Sequence, residues 1–444
     1  MKLPITSWWA ASALGVGPGE MAANLKRGEA PGMRLISGDI PGREIFFGGI
    51  DAPLPEISER RWNMRSCRLL ELAVRAMKGD LDSLIAHHGA DRVGIVIGAS
   101  NTGIDEAEGF VDEWLASGTK PDALDFSMIE LGTPSAYLAQ RLGVTGPAYT
   151  VSTACSSAAK AFGAARRLIE RGICDAVITG GVDGRCRFAM NGFAALGALA
   201  QGRCRPLAPD RDGINLGEAV ALFVIEGQGS RSKGQGQGSK VEGLRSKDQD
   251  SSSSPLAPSP STLYPSPSNL DPKPYTLGPW PLALDPKPYT LYPRPLTLGP
   301  SPLTLSAIGE SSDAYHVTAP DPDGKGAEMA MRAALADAHL EPSQVSYVNL
   351  HGTGTIANDD MELKALERVF GSEFAVCSPD SPHPQTANCF AESTKSLTGH
   401  CLGAAGAIEA AICLLRLAEL GEGKAAISNS FAFGGSNASV VFQS

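Results

Sequence analysis

The 444-residue sequence contains no CxxC pair, no apolar run approaching a membrane span and no excess of basic charge. Each absence excludes a class of function. Nine cysteines, an odd number scattered over a long chain, argue against a disulfide framework. They point instead to reduced thiols, as in the cytoplasm or, for a eukaryote, a plastid or mitochondrial matrix. Cys377, Cys389, Cys401 and Cys413 recur every twelve residues, a spacing that matches no zinc motif. A net charge of −10 offers no attraction for nucleic acid or an anionic membrane surface. Apolar stretches are broken by Gly, Ser, Asp or Arg before the roughly 18 to 20 residues that a spanning helix needs. Residues 1–17 are mostly apolar, but Pro4, Thr6 and Ser7 interrupt them and no clear A-x-A cleavage site follows, so a first core strand is expected rather than a signal peptide. The stretch Gly15-Val16-Gly17-Pro18-Gly19 is too weak a match to a dinucleotide-binding loop, whose specific G-x-G-x-x-G form needs a strand before it and an acidic residue about 20 later, and reads as a turn.

What is abundant is glycine and proline, 50 and 32 residues, and the excess is local. Residues 228–254 are rich in Gly, Ser, Gln and Lys, a composition that cannot bury enough apolar surface to offset ordering entropy. Residues 257–305 form seven tandem copies of x-P-x-P-x-x-L, which hold 14 of the 32 prolines and forbid helix. The expected organisation is an N-terminal half, 1–227, a disordered low-complexity insertion, 228–305, and a C-terminal half, 306–444. Both halves alternate short β-branched runs with small-residue helical segments. Strands are expected at 92–98, 176–180, 219–226, 345–350 and 438–442, giving an α/β fold with largely buried sheets.

The chemistry concentrates in four segments. In residues 151–183 (VSTACSSAAKAFGAARRLIERGICDAVITGGVD) a strand-like entry ends at Cys155, and an amphipathic helix follows with Gly172 as its stop. A cysteine at a helix N-terminus has its thiolate favoured by free N–H groups and the helix dipole, so a lowered thiol pKa is expected. A buried structural cysteine is the competing reading of this residue alone. Residues 349–362 (NLHGTGTIANDDME) carry His351 out of a buried strand into a Gly/Thr loop. Residues 393–409 (STKSLTGHCLGAAGAIE) place Lys395 and His400 ahead of a second Ala/Gly-rich helix. Residues 429–437 (NSFAFGGSN) form a glycine loop flanked by aromatics. A nucleophile, two imidazoles and a cation together make an acyl-transfer set.

These motifs, TACSS, HGTGT, STKxxTGH and FGG in that order, resemble those of the β-ketoacyl-acyl carrier protein synthases, condensing enzymes of the thiolase superfamily. The similarity covers nearly all of the chain outside the insertion. It implies a thiolase-like five-layer α-β-α-β-α fold of two similar halves and a homodimer. It also implies a Cys-His-His site of Cys155, His351 and His400. By the same resemblance Lys395 supports His400 and pairs with Glu409, while Asp359 and Glu362 lie behind the His351 loop. Thr353 and Thr355 hold the pantetheine arm, and Cys155 and Phe433 supply the oxyanion hole, with Phe433 also gating the acyl chain. Acyl and malonyl forms of acyl carrier protein are the implied partners, and phosphopantetheine arrives on that substrate. No metal, flavin or nicotinamide cofactor is implied. The details of the His351 and Lys395 segments look closer to the branch linked to polyketide-like or aryl polyene chains than to housekeeping elongases.

An acidic carrier needs a local basic patch on an acidic enzyme. Arg61, Arg65 and Arg68 at helical spacing, with Arg203 and Arg205, are the docking candidates. Three departures from the family pattern stand out: the insertion, Ala432 where the gating loop usually has Gly, and a short connection at 420–428. The different-class alternative is a catalytically impaired homologue that acts as a scaffold through its proline-rich strip.

Overall fold

The computed structural model describes residues 1–227, 303–371, 374–377 and 389–444. Eleven strands build the main sheet: β1 (Leu3–Ser12), β2 (Val93–Gly98), β3 (Ala148–Val151), β4 (Ala176–Asp183), β5 (Ala219–Glu226), β6 (Thr304–Ser312), β7 (Tyr347–Asn349), β8 (Ala375–Cys377), β9 (Phe390–Glu392), β10 (Ala425–Ala432) and β11 (Ser436–Gln443). A short strand, Gly15–Val16, also pairs with β1 where a turn was expected. β1 is therefore a core strand, with Trp8 and Trp9 buried. Among the described residues no helix is long and apolar enough to cross a membrane.

The pairing repeats itself. In the first half the order is β1-β5-β4-β2-β3, with β1/β5 and β5/β4 antiparallel and the remaining pairs parallel. In the second half it is β6-β11-β10-β7-β9, again two antiparallel pairs followed by parallel ones, with β8 added at the edge. The half-sheets pair through β1 and β6, in register at Leu3↔Leu305 and Pro4↔Thr304. That contact moves one expected boundary. Residues 303–305 complete the last proline-rich copy in the sequence, yet Leu303 accepts from the Ile5 N–H at 2.8 Å and β6 starts at Thr304. The pattern x-P-x-P-x-x-L hides this because its closing L-T-L also reads as a strand start. The other residues of the 228–305 segment, and the polar stretch 378–388, lie outside the described residues.

Two helices fill the space between the half-sheets. α2 (Ser157–Glu170) packs on β2 and β4 of its own half and on β6 and β11 of the other. α5 (Ala405–Leu420) packs on β7 and β10 and also on β1, β4 and β5, and the two helices touch each other. Both are rich in Ala and Gly because only small side chains allow a helix to be covered on all sides at this spacing. Phe162 of α2 ties the layers together, with ring centroids 5.1 Å from Phe223 of β5 and 5.7 Å from Phe442 of β11. α1 (Arg65–Ala76) covers the outer face of the first sheet, and α3 (Lys325–Ala338) with α4 (Ile356–Phe370) that of the second. The result is the expected five-layer α-β-α-β-α arrangement.

The close approach of α2 to β2 is what seats Cys155. A Cβ on Gly98 would fall 2.3 Å from both the Cα and the N of Ala158. Gly98→Ala should lower stability by about 1 to 3 kcal/mol through overpacking. Thermal melting checks this. Because the clash is with backbone, the start of α2 should shift and acylation of the protein should fall with it.

Candidate active site

Cys155 lies two residues before α2, on a backbone elbow. Ala154 has φ of 52°, a left-handed conformation that costs a non-glycine residue roughly 1 to 2 kcal/mol. The hydroxyls of the TACSS motif hold that strain in place. Ser157 Oγ accepts from the Thr153 N–H at 2.8 Å and donates to the Ala154 carbonyl at 2.6 Å. Ser156 Oγ donates to the Thr153 carbonyl at 2.9 Å and contacts Ser436 Oγ of the opposite half at 3.1 Å.

The second half brings its imidazoles to the same point. His400 Nε2 lies 2.9 Å from Cys155 Sγ, and the His351 and His400 rings stand edge to face with centroids 5.4 Å apart. His400 is anchored by its N–H, which donates to the Asn215 carbonyl at 2.7 Å. The buried Lys395 ammonium donates to the His351 carbonyl at 2.5 Å and pairs with Glu409, and both side chains are only 1% exposed. Lys395 thus acts on the His351 loop as directly as on His400. Glu362 accepts from the N–H groups of His351 at 2.9 Å and Gly352 at 2.7 Å. Asp359 accepts from the Gly354 and Leu207 N–H groups. These two acids fix the shape of the loop rather than facing the cavity. Thr355 caps α4, its hydroxyl accepting from the Asn358 N–H, and lies 2.9 Å from the Thr353 hydroxyl.

Burial dominates the electrostatics. Both imidazoles are pushed well below the usual histidine range, first by burial and then by the Lys395 charge, and His400 adds to the effect on His351. Both are neutral at physiological pH, and neither Nδ1 has a hydrogen-bond partner among the described residues. The Cys155 thiol is pushed up to about 12 by burial, with Lys395 opposing. This reverses the sequence expectation of a lowered thiol pKa, because desolvation of the thiolate outweighs the helix terminus. Burial also raises Glu362 to about 7 and raises Asp359 and Glu409.

Two cavities meet at Cys155. One, of about 240 Å3, is lined by His351, His400, Thr353, Thr355 and Phe433. The other, of about 300 Å3, is largely apolar and runs past Asn101, Ile104, Phe188 and Leu402. Cys155 and Phe433 belong to both. Phe433 is partly exposed, and its ring centroid is 5.7 Å from that of Phe193. Ala432 has φ of −107°, so the Cβ there carries no conformational penalty; Gly434 and Gly435 take the positive φ angles of this turn. The short connection after α5 closes through Gly421 and Gly423, both with positive φ, directly into β10. The donor atoms of Cys155, His351 and His400 lie within 4.8 Å of one another, the one such potential ligand group found among the described residues.

The docking arginines are not assembled into a free patch. Arg65 is spent on the buried Glu218, both nitrogen contacts at 2.5 Å. Arg68 donates to the Leu54 and Pro55 carbonyls at 3.0 Å. Arg61 pairs with Glu59 and Gln140, and Arg205 with Asp210. Helical spacing does not reveal such internal partners. Arg203 is exposed and donates to the Ser396 carbonyl. Sequence reading missed Asp183, Glu218 and Asn215. All three are buried polar residues at strand ends or in the loop before β5, and the only available signal was polarity beside an apolar run.

Family profiles identify this architecture. That of the beta-ketoacyl synthase N-terminal domain matches residues 32–229, and that of the beta-ketoacyl synthase C-terminal domain matches residues 304–420. The 3-oxoacyl-[acyl-carrier-protein] synthase 2 of Staphylococcus aureus strain COL is 27% identical over 405 residues, 84% of this chain and 80% of the relative. That of Vibrio harveyi is 28% identical over 395 residues, 81% and 77% of the two chains. Among solved structures, a chain from the complex of the ketosynthase ApeO with its chain length factor ApeC from Xenorhabdus doucetiae gives a TM-score of 0.76 at 32% identity. The match covers 100% of this chain and 98% of that one. A beta-ketoacyl synthase from Burkholderia phymatum STM815 gives 0.68 at 21% identity, covering 100% and 99%, a likeness of fold. The chain belongs to the β-ketoacyl synthase family. It has the thiolase-like fold of that family and is a condensing enzyme of the acyltransferase class.

Two tests follow from the burial. Lys395→Met leaves Glu409 buried beside no cation and should cost about 3 to 5 kcal/mol near neutral pH. The loss should shrink on acidification, as Glu409 takes up a proton, and in the Lys395→Met/Glu409→Gln double variant; melting curves at two pH values report both. With the Cys155 thiol near 12, the thiolate fraction grows about tenfold per pH unit across the alkaline range. Alkylation of Cys155 by iodoacetamide in the His400→Ala variant should therefore keep rising from pH 7 to 10, whereas an ordinary exposed thiol levels off near its own pKa.

Proposed function

We propose that the protein elongates an acyl chain by decarboxylative condensation with a malonyl group, both delivered on acyl carrier protein. The observation that carries this reading is the meeting of Cys155 with two neutral imidazoles where two cavities join. In the first half-reaction the Cys155 sulfur attacks the carrier thioester, and its proton passes to His400 Nε2 across the 2.9 Å contact. The tetrahedral oxyanion is held by the N–H groups of Cys155 and Phe433. Collapse expels the pantetheine sulfur, which takes the proton and leaves with the carrier. The acyl chain occupies the apolar cavity beyond Phe433.

In the second half-reaction malonyl thioester enters the cavity lined by Thr353 and Thr355, which hold the pantetheine arm. Loss of carbon dioxide leaves two electrons on the α-carbon and negative charge on the thioester oxygen. Neutral His351 donates Nε2–H to that oxygen, and His400 does the same once its single ring proton has moved from Nδ1 to Nε2 by exchange with solvent, a role that imidazoles kept neutral by burial can fill without giving up a proton. The α-carbon then attacks the acyl carbonyl on Cys155, forming the carbon–carbon bond and breaking the thioester to the enzyme. The expelled Cys155 thiolate takes up one proton from solvent, and the products are a β-ketoacyl carrier two carbons longer and free Cys155.

A polyketide-like or aryl polyene chain is the preferred branch; the 32% identity to a chain of a ketosynthase–chain length factor complex supports a ketosynthase of this kind. Arg203, exposed near the Lys395 segment, is the remaining docking candidate for the carrier. A homodimer is proposed from the exposed edge strand β3 and the apolar side chains Trp114, Leu115, Phe126, Phe188 and Leu196. A reducing compartment, cytoplasmic or an organelle matrix, suits nine free cysteines. The scaffold alternative drew on the proline strip outside the described residues and is not favoured beside an assembled site.

Intact mass after mixing the protein with an acyl-acyl carrier protein tests the reading. Wild type should gain one acyl group and Cys155→Ala none, while His351→Ala should acylate yet fail to release carbon dioxide from malonyl carrier. No mass gain in folded wild type would overturn the proposal.

A further inference from the structure

Asp183 ends β4 at the centre of the molecule and is completely buried. Its carboxylate collects donors from two separate segments. From the loop after β2 it accepts the Ser100 N–H at 2.9 Å, the Asn101 N–H at 2.8 Å and the Ser100 hydroxyl at 2.7 Å. From the entry to α5 it accepts the Gly403 N–H at 2.6 Å. Gly403 also donates to the Ser100 hydroxyl at 3.2 Å, closing a ring of three residues.

The place of this ring in the chain gives it a consequence. Gly403 is three residues after His400, and the intervening Leu402 is held at φ of 49°, a strained left-handed turn like the one before Cys155. Ser100 and Asn101 continue the strand against which the start of α2 packs, and both line the apolar cavity. One carboxylate therefore fastens the loop that carries His400 to the wall that seats Cys155. A carboxylate buried this deeply is costly, and burial pushes Asp183 up to about 7 even with these donors. Its negative charge also works against ionisation of Cys155. Electrostatically the residue hinders the nucleophile, so its usefulness must lie in geometry.

We infer that Asp183 is a positioning residue for the condensing reaction: through Gly403 and Ser100 it holds His400 in register with Cys155. This rests on the reading of Cys155 and His400 given above, and its test is chosen to fail separately.

The measurement is the rate at which iodoacetamide alkylates Cys155, read by peptide mass, together with acyl transfer from a small acyl thioester. Asp183→Asn keeps the shape, removes the charge and turns one acceptor into a donor facing N–H groups. If Asp183 positions His400, alkylation slows and acyl transfer falls about 10-fold or more in kcat with little change in KM, as for a misplaced reacting group. If it were a structural acid with only an electrostatic effect, removing its charge would leave alkylation unchanged or faster, and that result overturns the proposal. Gly403→Ala attacks the ring from the other side without touching charge, since its Cβ would lie 2.7 Å from Asp183 Oδ2. It should reproduce the slow alkylation, and the double variant should be no slower than the slower single one; a fast Gly403→Ala protein also overturns the proposal. Should Asp183→Asn fail to fold, Ser100→Ala removes one donor and should slow alkylation partially at unchanged melting temperature, while a wild-type rate there counts against the ring. Alkylation needs neither carrier nor acyl chain. A wild type that alkylates but never acylates would sink the condensing-enzyme reading and leave the positioning role standing or falling on the alkylation rates.

Discussion

The Lys395 ammonium sits where water does not reach, and much of the site is arranged around making that tolerable. A buried cation needs a buried anion and further acceptors; Glu409 on α5 and the His351 carbonyl provide them. The same charge then depresses both imidazoles, which burial alone already disfavours as cations. In the proposed condensation, neutral imidazoles beside a buried thiol suit donation to a developing oxyanion rather than formation of a resting ion pair. A surface lysine at this place would take away its share of that depression and leave the His351 loop without its tie.

The duplicated sheets make such a site possible. Each half contributes a helix to the shared central layer, and each helix begins at a left-handed residue, Ala154 before α2 and Leu402 before α5. Cys155, one residue after Ala154, and His400, two residues before Leu402, stand at the entries to these two helices and are brought face to face by the packing of two Ala/Gly-rich helices. Cys155 and His400 are both buried and held by core packing rather than by surface loops.

Much of this was legible from residues alone. The small residues of α2 and α5 announced close helix packing, and the β-branched runs at 93–98 and 219–226 announced buried strands. The four motifs announced the Cys-His-His set, and the structure brings all of its members together. What failed were quantities that depend on tertiary partners. The sign of the shift at Cys155 turned on desolvation, which local sequence does not encode. Arg65 and Arg68 had the spacing of a surface patch but serve Glu218 and two carbonyls. The strand β7 is three residues where the apolar run suggested six, since the ends of that run belong to the turn from Pro342–Gln344 and to the His351 loop. Asp183 was invisible because a single acid after a glycine pair carries no signature until its donors are in place.

The seam between the half-sheets has a consequence for how the chain is connected. Ile225, near the end of β5, pairs with Ile5, and Leu305, at the start of β6, pairs with Leu3. The chain therefore leaves the first half and enters the second on either side of β1, two inter-strand spacings apart, or roughly 10 Å. Whatever lies between has only to bridge that gap, and the entropy of closing it grows slowly with length. Connector length is thus nearly decoupled from the stability of the fold. The seam is a natural splice point, where sequence can be gained, lost or exchanged between lineages while the catalytic layers keep their spacing.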